Sequence, residues 1–220
     1  MPVSQELADL VARSTASSVS DVLMKRGIAG YMRQRIRPLD PRSRMFGPAL
    51  TIERLPVGSV PASERRPGSL MIDAIEKAEP GTVLVFNGDP DHEAALWGGL
   101  LAAAAHRNRL AGVVADGPVR DPTEILDLGQ PCFCTGSVPQ GQAGILTLGR
   151  IGEPLECGGL LVGPGDFVFA DSNGVVVVPR GLELAIMREA AEVEASDQAA
   201  ARMILSGTSL RETMTRLGRI

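Results

Sequence analysis

Apolar positions in the first half of the chain recur with helical spacing in some segments and form short β-rich runs in others. The helical spacing predicts helices over residues 4–13, 17–27, 69–78, 93–108 and 121–128. The second of these is expected to have Ser17 or Ser20 as its cap and to close at Gly27. Strands are predicted between them, over 46–52, 82–86 and 112–115. This alternation indicates an α/β fold whose sheet is at least partly parallel.

The second half of the chain has a different pattern. Short strands are predicted over 131–135, 145–148, 160–162, 166–170 and 174–178, and no predicted helix separates them. A long amphipathic helix is predicted over 181–206, followed by a shorter one over 209–217. Because 220 residues suffice for one sizeable core, we expect a single α/β domain over residues 1–220 with a long C-terminal helix.

Composition and charge narrow the range of partners. Hydrophobic residues make up 44% and charged residues 22%, which is typical of a folded globular domain. The net charge of −4 and the pI near 5.3 provide no concentrated basic surface, so nucleic acid is not expected as a partner. The arginines at positions 33, 35, 37, 42 and 44 are expected to be solvated or paired with acids on a neighbouring subunit.

The chain begins without a basic segment followed by an apolar core, and no apolar run is long enough to cross a membrane. We therefore expect a cytoplasmic protein with no membrane contact. In that compartment Cys132, Cys134 and Cys157 are expected to be buried free thiols. The two histidines, His92 and His106, have no metal-site spacing relative to the cysteines, which argues against a zinc site.

Charged side chains cluster directly after the strand predicted over 112–115. Asp116, Arg120 and Asp121 follow this strand, with a Gly-Pro turn between them. Open α/β folds place ligands at the carboxyl ends of their strands. Arg120 offers a planar fork that matches a carboxylate, and Asp121 offers hard oxygens that suit Mg²⁺ or Mn²⁺. Asp116 would orient a ligand water or Arg120. A structural interpretation is equally open, in which Asp121 caps the following helix and Arg120 pairs with a surface acid.

A glycine pair within the segment predicted as the fourth helix also has two interpretations. If the predicted helix is interrupted at Trp97-Gly98, a new helix begins there with free backbone amides. The amides of Gly98, Gly99, Leu100 and Leu101 would then bind an anionic substrate at the positive end of that helix. Otherwise the two glycines simply permit tight packing beneath Trp97.

Several of these segments occur in the same order in a known family. They are residues 47–51, 97–101, 112–121 and 165–179. Over roughly residues 15–205 the chain resembles the 4-hydroxy-4-methyl-2-oxoglutarate aldolases and the regulators of ribonuclease activity A (RraA). The Asp-Gly-x-x-Arg-Asp element that ends at Asp121 is the most specific part of the resemblance.

The resemblance implies an α/β/α sandwich of the swivelling, phosphohistidine-domain-like type. It implies homotrimers or homohexamers with active sites at subunit interfaces. Asp121 would hold the divalent metal, Mg²⁺ or Mn²⁺, Arg120 would bind the pyruvyl group, and the amides from Gly98 to Leu101 would cradle its carboxylate; Asp116 is the third candidate catalytic residue. The implied activity is that of a class II pyruvate aldolase acting on 4-hydroxy-4-methyl-2-oxoglutarate or a related 4-hydroxy-2-oxo acid, with oxaloacetate decarboxylation as a side activity.

Two features depart from the family pattern. Many aldolase members carry an acid where this chain has Gly99, and that acid would help with metal waters or proton transfer. A glutamate from a neighbouring subunit's C-terminal helix is also expected, and both Glu192 and Glu194 qualify. The alternative function is that of a non-catalytic, protein-binding regulator of a ribonuclease. Such regulators tend to lack the acid after the arginine, so Asp121 argues against that alternative.

Overall fold

The computed structural model describes residues 4–88 and 94–218. Its helices are α1 (Gln5–Ala12), α2 (Ala16–Lys25), α3 (Ser69–Lys77), α4 (Gly99–Arg107), α5 (Pro122–Asp127), α6 (Glu183–Leu205) and α7 (Leu210–Arg216). Its strands are β1 (Arg37–Pro38), β2 (Met45–Pro56), β3 (Val83–Phe86), β4 (Gly112–Ala115), β5 (Cys132–Cys134), β6 (Leu146–Ile151), β7 (Leu155–Cys157), β8 (Leu160–Val162), β9 (Phe167–Asp171) and β10 (Gly174–Val178). No described helix is both long and apolar enough to span a bilayer.

Eight of the strands form one mixed sheet. Its order is β1-β5-β4-β3-β2-β9-β10, and β6 also pairs with β2. The neighbours β2, β3, β4 and β5 are parallel, as the alternating pattern predicted, whereas the other pairs in this sheet are antiparallel. The long strand β2 connects the two kinds of pairing, because its first residues pair with β9 and its last residues with β6.

The two ends of this sheet approach each other through the segment that precedes β1. Val177 N donates to Gly30 O at 2.7 Å, and Met32 N donates to Val175 O at 2.9 Å. A few residues later, β1 pairs with β5 at the opposite end of the sheet. The sheet is therefore nearly a barrel, rather than the flat central layer of a sandwich. The expected mixed α/β single-domain fold with a C-terminal helix is confirmed.

Hydrophobic side chains form three buried clusters around this sheet. The cluster inside the near-barrel includes Val85, Val114, Phe133, Val168 and Val175. A second cluster packs α3, α4 and α5 against the outer face of the parallel strands. The third packs α1, α2 and α6 against β9 and β10. The parallel strands are buried on both faces, which explains their continuous apolar runs.

Some local predictions were wrong. The second helix is capped by Thr15, which forms a capping box with Ser18, and not by Ser17 or Ser20. The fourth helix was predicted from residue 93, which lies outside the described residues, but α4 begins only at Gly99. Residues 95–97 are extended instead, because their backbone groups bond to neighbouring segments. The short strands β1 and β7 were not predicted.

Candidate active site

The segment before α4 is held between two other extended segments. Trp97 O accepts from Arg120 N at 2.9 Å, and Leu96 N donates to Pro118 O at 2.9 Å. On its other side, Ala95 N donates to Gln140 O at 2.9 Å. These bonds bring the start of α4 next to the turn that carries the candidate charged residues.

Arg120 and Asp121 lie at the N-terminus of α4. Asp121 has left-handed backbone angles (φ 56°, ψ 47°), a conformation that Asp adopts more readily than most residues. Although it is the N-cap residue of α5, its side chain makes no capping bond there. Its Oδ2 instead accepts from Gly99 N at 3.1 Å, and Arg120 Nε lies 3.6 Å from the same oxygen. The interpretation of Asp121 as a cap of its own helix is therefore wrong.

The backbone changes from extended at Trp97 to helical after Gly98, as the substrate-binding interpretation required. A Cβ atom on Gly98 would lie 2.9 Å from Arg120 Cγ and 3.1 Å from Asp121 Oδ2, so glycine permits this close approach. The first backbone bond of the helix is Ala102 N to Gly98 O, at 3.0 Å. The amides of Leu100 and Leu101 precede that bond and have no partner within the helix.

A small cavity of about 160 Å³ lies beside these groups. One side of it is formed by Arg120 and the first turn of α4, and the other by Gly141, Gln142 and Ala143. The volume is below the roughly 300–1,000 Å³ of pockets for drug-sized ligands, which suits a small acid. Asp121 does not line this cavity itself but lies behind Arg120 and Gly98. A larger cleft of about 310 Å³, between α2 and β10, does not include Arg120.

Two polar atoms in residues of the cavity wall are buried and have no hydrogen-bond partner within the part of the chain that the structure describes. They are Trp97 Nε1 and Gln142 Oε1. Buried polar groups in native proteins usually have hydrogen-bond partners, so both atoms are candidates to bond a polar ligand.

Asp116 points to a different part of the molecule. Its Oδ1 accepts from Arg35 Nε at 2.8 Å, and its Oδ2 accepts from Gly158 N at 2.8 Å. The same hydrogen bond raises the pKa of Arg35, and burial raises the pKa of the neighbouring Cys157 thiol. Both carboxylate oxygens of Asp116 are thus engaged away from Arg120. The structure does not bring Asp116 together with the other two candidate catalytic residues.

The metal donors around Asp121 are few. Within residues 4–88 and 94–218, no group of three or more His, Cys, Asp or Glu side chains is placed to hold a metal. Mg²⁺ commonly takes one or two protein carboxylates and keeps several waters, so Asp121 fits such an ion without a full protein cage. The cysteines are buried free thiols, as predicted.

The two glutamates considered on the C-terminal helix differ in their surroundings. Glu194 Oε2 accepts from Thr15 Oγ1 at 2.9 Å, and its Oε1 accepts from Gln198 Nε2 at 3.3 Å. Glu192 is exposed on α6. Of the two, Glu192 is therefore the more accessible.

Sequence reasoning did not find three residues that contact or adjoin the candidate residues. Arg35 pairs with Asp116, Glu124 lies against Gly99, and Gln142 forms part of the cavity wall. Only Glu124 had a local signal, because it follows Asp121 by three positions and so lies on the same side of a helical turn. The other two are brought in by contacts that are remote along the chain.

Comparison with known proteins places the chain in a family. A model described as RraA-like, Aldolase/RraA, matches residues 16–177. Protein DlpA of Legionella pneumophila is 30% identical over 200 residues, which are 90% of this chain but only 31% of that protein. A provisionally named 4-hydroxy-4-methyl-2-oxoglutarate aldolase of Halalkalibacterium halodurans is 32% identical over 171 residues, 77% of this chain and 76% of that protein.

A solved structure agrees with this assignment. Streptomyces coelicolor RraAS2, described as an unusual member of the RNase ES inhibitor RraA family, is 28% identical with a TM-score of 0.79. The match covers 92% of this chain and 98% of that one. As the order of its motifs predicted, the chain belongs to the Aldolase/RraA family.

Proposed function

We propose that this chain is a divalent-metal-dependent, class II pyruvate aldolase. It would cleave 4-hydroxy-4-methyl-2-oxoglutarate or a related 4-hydroxy-2-oxo acid to pyruvate and a second carbonyl compound. The observation that carries the proposal is that Arg120 and the first turn of α4 line one small cavity, while Asp121 is held against both by its contacts with Gly99 N and Arg120 Nε. The similarity to a provisionally named aldolase supports it.

The start of α4 suits the carboxylate of a 2-oxo acid. The amide of Gly99 is engaged by Asp121, so the amides of Leu100 and Leu101 are the ones available to an anion. They lie at the positive end of the helix, where backbone N–H groups bind carboxylates and phosphates. Leu100 and Leu101 would therefore orient the substrate by its carboxylate.

Arg120 lies at the cavity wall, where it would reach the keto oxygen. When the C3–C4 bond breaks, its electron pair enters the pyruvyl unit as an enolate. The C4 hydroxyl loses its proton and becomes the carbonyl of the second product, and a proton taken up at C3 gives pyruvate. The guanidinium stabilises the negative charge that develops on the oxygen. Oxaloacetate decarboxylation is proposed as a side activity because it forms the same enolate.

Asp121 is the proposed residue for a divalent cation. Its carboxylate is 39% exposed, so it can accept a hydrated ion from solution. A bound Mg²⁺ or Mn²⁺ would supply a Lewis acid that polarises the keto group. Arg120 and a cation held by Asp121 would then both offer positive charge to the keto oxygen.

A subunit interface beside the site is part of the proposal. Leu100, on the first turn of α4 at the cavity, is 85% exposed, so apolar surface beside the proposed site is open to contact. We propose that a neighbouring subunit of a homotrimer or homohexamer covers it, and that Glu192 on such a subunit's α6 approaches the metal waters. The swivelling fold type and the cytoplasmic location stay predictions.

Pyruvate release is the direct test. The protein is assayed with 4-hydroxy-4-methyl-2-oxoglutarate and with oxaloacetate, first with Mg²⁺ and then with excess chelator, beside Asp121→Ala. Release that needs the metal and is lost in the variant is the expected result. Release that survives both the chelator and the substitution would reject the proposed site.

The second candidate function is a non-catalytic regulator of a ribonuclease. The similarity to RraAS2 is the observation that favours it. It predicts no pyruvate release from either substrate with Mg²⁺ or Mn²⁺, and a lower rate of RNA cleavage when the protein is added to a ribonuclease assay. The two candidates therefore make opposite predictions in the same pair of assays.

A further inference from the structure

Glu124 fills the space that a side chain at position 99 would occupy. A Cβ atom on Gly99 would lie 1.9 Å from Glu124 Oε2, 3.0 Å from its Cδ and 3.3 Å from its Cβ. The glutamate side chain thus extends along the glycine, with its carboxylate against the start of α4. This placement depends on position 99 having no side chain.

Asp121 reaches the same backbone residue from another direction. Its Oδ2 accepts from Gly99 N at 3.1 Å. Two carboxylates therefore border Gly99, one at its amide and one at its Cα, and Arg120 lies beside the first of them. Asp121 and Glu124 are both exposed, so water and a hydrated ion can reach them.

The adjoining cavity has polar groups suited to an anionic ligand, although neither Asp121 nor Glu124 lines it. Its wall includes Trp97, which is 1% exposed, and Gln142; Trp97 Nε1 and the buried Gln142 Oε1 have no hydrogen-bond partner among residues 4–88 and 94–218. The Arg120 guanidinium and two amides of α4 that have no partner within the helix lie at the same wall. Carboxylate oxygens in pairs, with waters completing the coordination, are the usual setting for Mg²⁺.

We propose that Glu124 is the second carboxylate of the cation site, holding the ion or its water ligands together with Asp121. This inference rests on the proposed function and adds a positioning residue to it. It also supplies an acid at the place that Gly99 leaves without one. The competing explanation is that Glu124 only neutralises the positive end of α4, as acids near helix N-termini often do.

Binding of Mn²⁺ without substrate separates these explanations. Free Mn²⁺ is measured by electron paramagnetic resonance in titrations of the wild type, Glu124→Gln and Asp127→Asn. The control, Asp127→Asn, removes an exposed acid from the same short helix. Glu124→Gln is expected to weaken Mn²⁺ binding on the order of tenfold, as changes at supporting residues of metal sites do. The control is expected to bind as the wild type does.

Moving the acid provides a second, independent test. In Gly99→Asp/Glu124→Ala the new carboxylate enters the space that the glutamate vacates. We expect Mn²⁺ affinity within a few-fold of the wild type, whereas Glu124→Ala alone stays weak. A glutamate that acted only as a helix-end charge would alter the melting temperature without changing Mn²⁺ affinity. Circular dichroism checks that each variant is folded.

The Mn²⁺-binding and pyruvate-release results together distinguish an error in this inference from an error in the proposed function. If Glu124→Gln binds Mn²⁺ like the wild type while Asp121→Ala loses the ion, the inference is overturned and the aldolase proposal stands. If the wild type neither binds Mn²⁺ nor releases pyruvate, both are overturned. A double variant that folds but binds no better than Glu124→Ala also overturns the placement at position 99.

Discussion

Asp116 and Asp121 are the two ends of one six-residue turn, yet their surroundings are opposite. Asp116 is 8% exposed, and its two oxygens are satisfied by Arg35 and by the amide of Gly158. Asp121 is largely accessible, and its described partners are one amide at 3.1 Å and one guanidinium at 3.6 Å. The carboxylate of Asp116 thus has hydrogen-bond partners for both oxygens within the fold, whereas the carboxylate of Asp121 is accessible to a ligand.

The contrast shows that charge and proximity in sequence do not assign a role. Asp116 ties the segment before β1 and the β7–β8 turn to the end of β4, so its contribution is to the near-closure of the sheet. Asp121 contributes little to that closure. We therefore expect matched Asp→Asn substitutions at the two positions to separate stability from activity.

Asp121→Asn is expected to have the largest effect. Asparagine keeps the size of the side chain and tolerates the left-handed backbone, but it lacks the negative charge that would hold the cation. Metal-dependent pyruvate release should fall on the order of 100-fold or more, by analogy with the loss of one electrostatic group at other sites. The melting temperature should stay near that of the wild type. An Asp121→Asn variant with wild-type activity would contradict the assignment of Asp121 to catalysis.

Asp116→Asn should have the reverse profile. It leaves the Arg35 guanidinium without its carboxylate, which in a fully buried pair costs about 3–5 kcal/mol. Because the Arg35 side chain is 41% exposed, we expect about 2 kcal/mol, measured as the free energy of unfolding in urea. The turnover of folded enzyme should change little. A large loss of turnover without a loss of stability would place Asp116 in the chemistry after all.

Leu100→Asp tests whether the open side of the site is covered by another subunit. Burying a leucine contributes about 1.5–3 kcal/mol, so a charge there should weaken assembly tenfold or more. Light scattering at several protein concentrations measures the shift. Leu161→Asp, at another exposed leucine away from the cavity, is the matched control. An unchanged assembly in Leu100→Asp would contradict an interface at the cavity.

Gly141→Ala should have the smallest effect. The added Cβ would lie 2.9 Å from Arg120 Nη1, the far end of a flexible side chain that can move away. We expect the guanidinium to shift and kcat/KM for pyruvate release to fall about threefold to tenfold, with no change in melting temperature. Gly144→Ala is unsuitable as a control, because Gly144 has a positive φ of 77°. Gly58→Ala serves instead, because Gly58 lies outside the cavity and an added Cβ there would meet no described atom within 4 Å.

Much of the secondary structure follows from local pattern. The parallel strands, α3 and the long α6 were predicted within a few residues, because burial imposes a period that the sequence displays directly. The strand-ending turn also placed Arg120 and Asp121 side by side, since they are neighbours in the chain. The start of α4 was misplaced because extended residues 95–97 depend on partners far away in sequence.

The sequence by itself determined the family, the α/β alternation and the adjacency of Arg120 and Asp121 after a strand, because these depend on neighbouring residues. Only the tertiary structure decided that the sheet nearly closes, that Asp116 belongs to that closure, and that Glu124 lies in the space left by Gly99. Those outcomes depend on hydrogen bonds and contacts between distant segments, whose geometry no local period encodes.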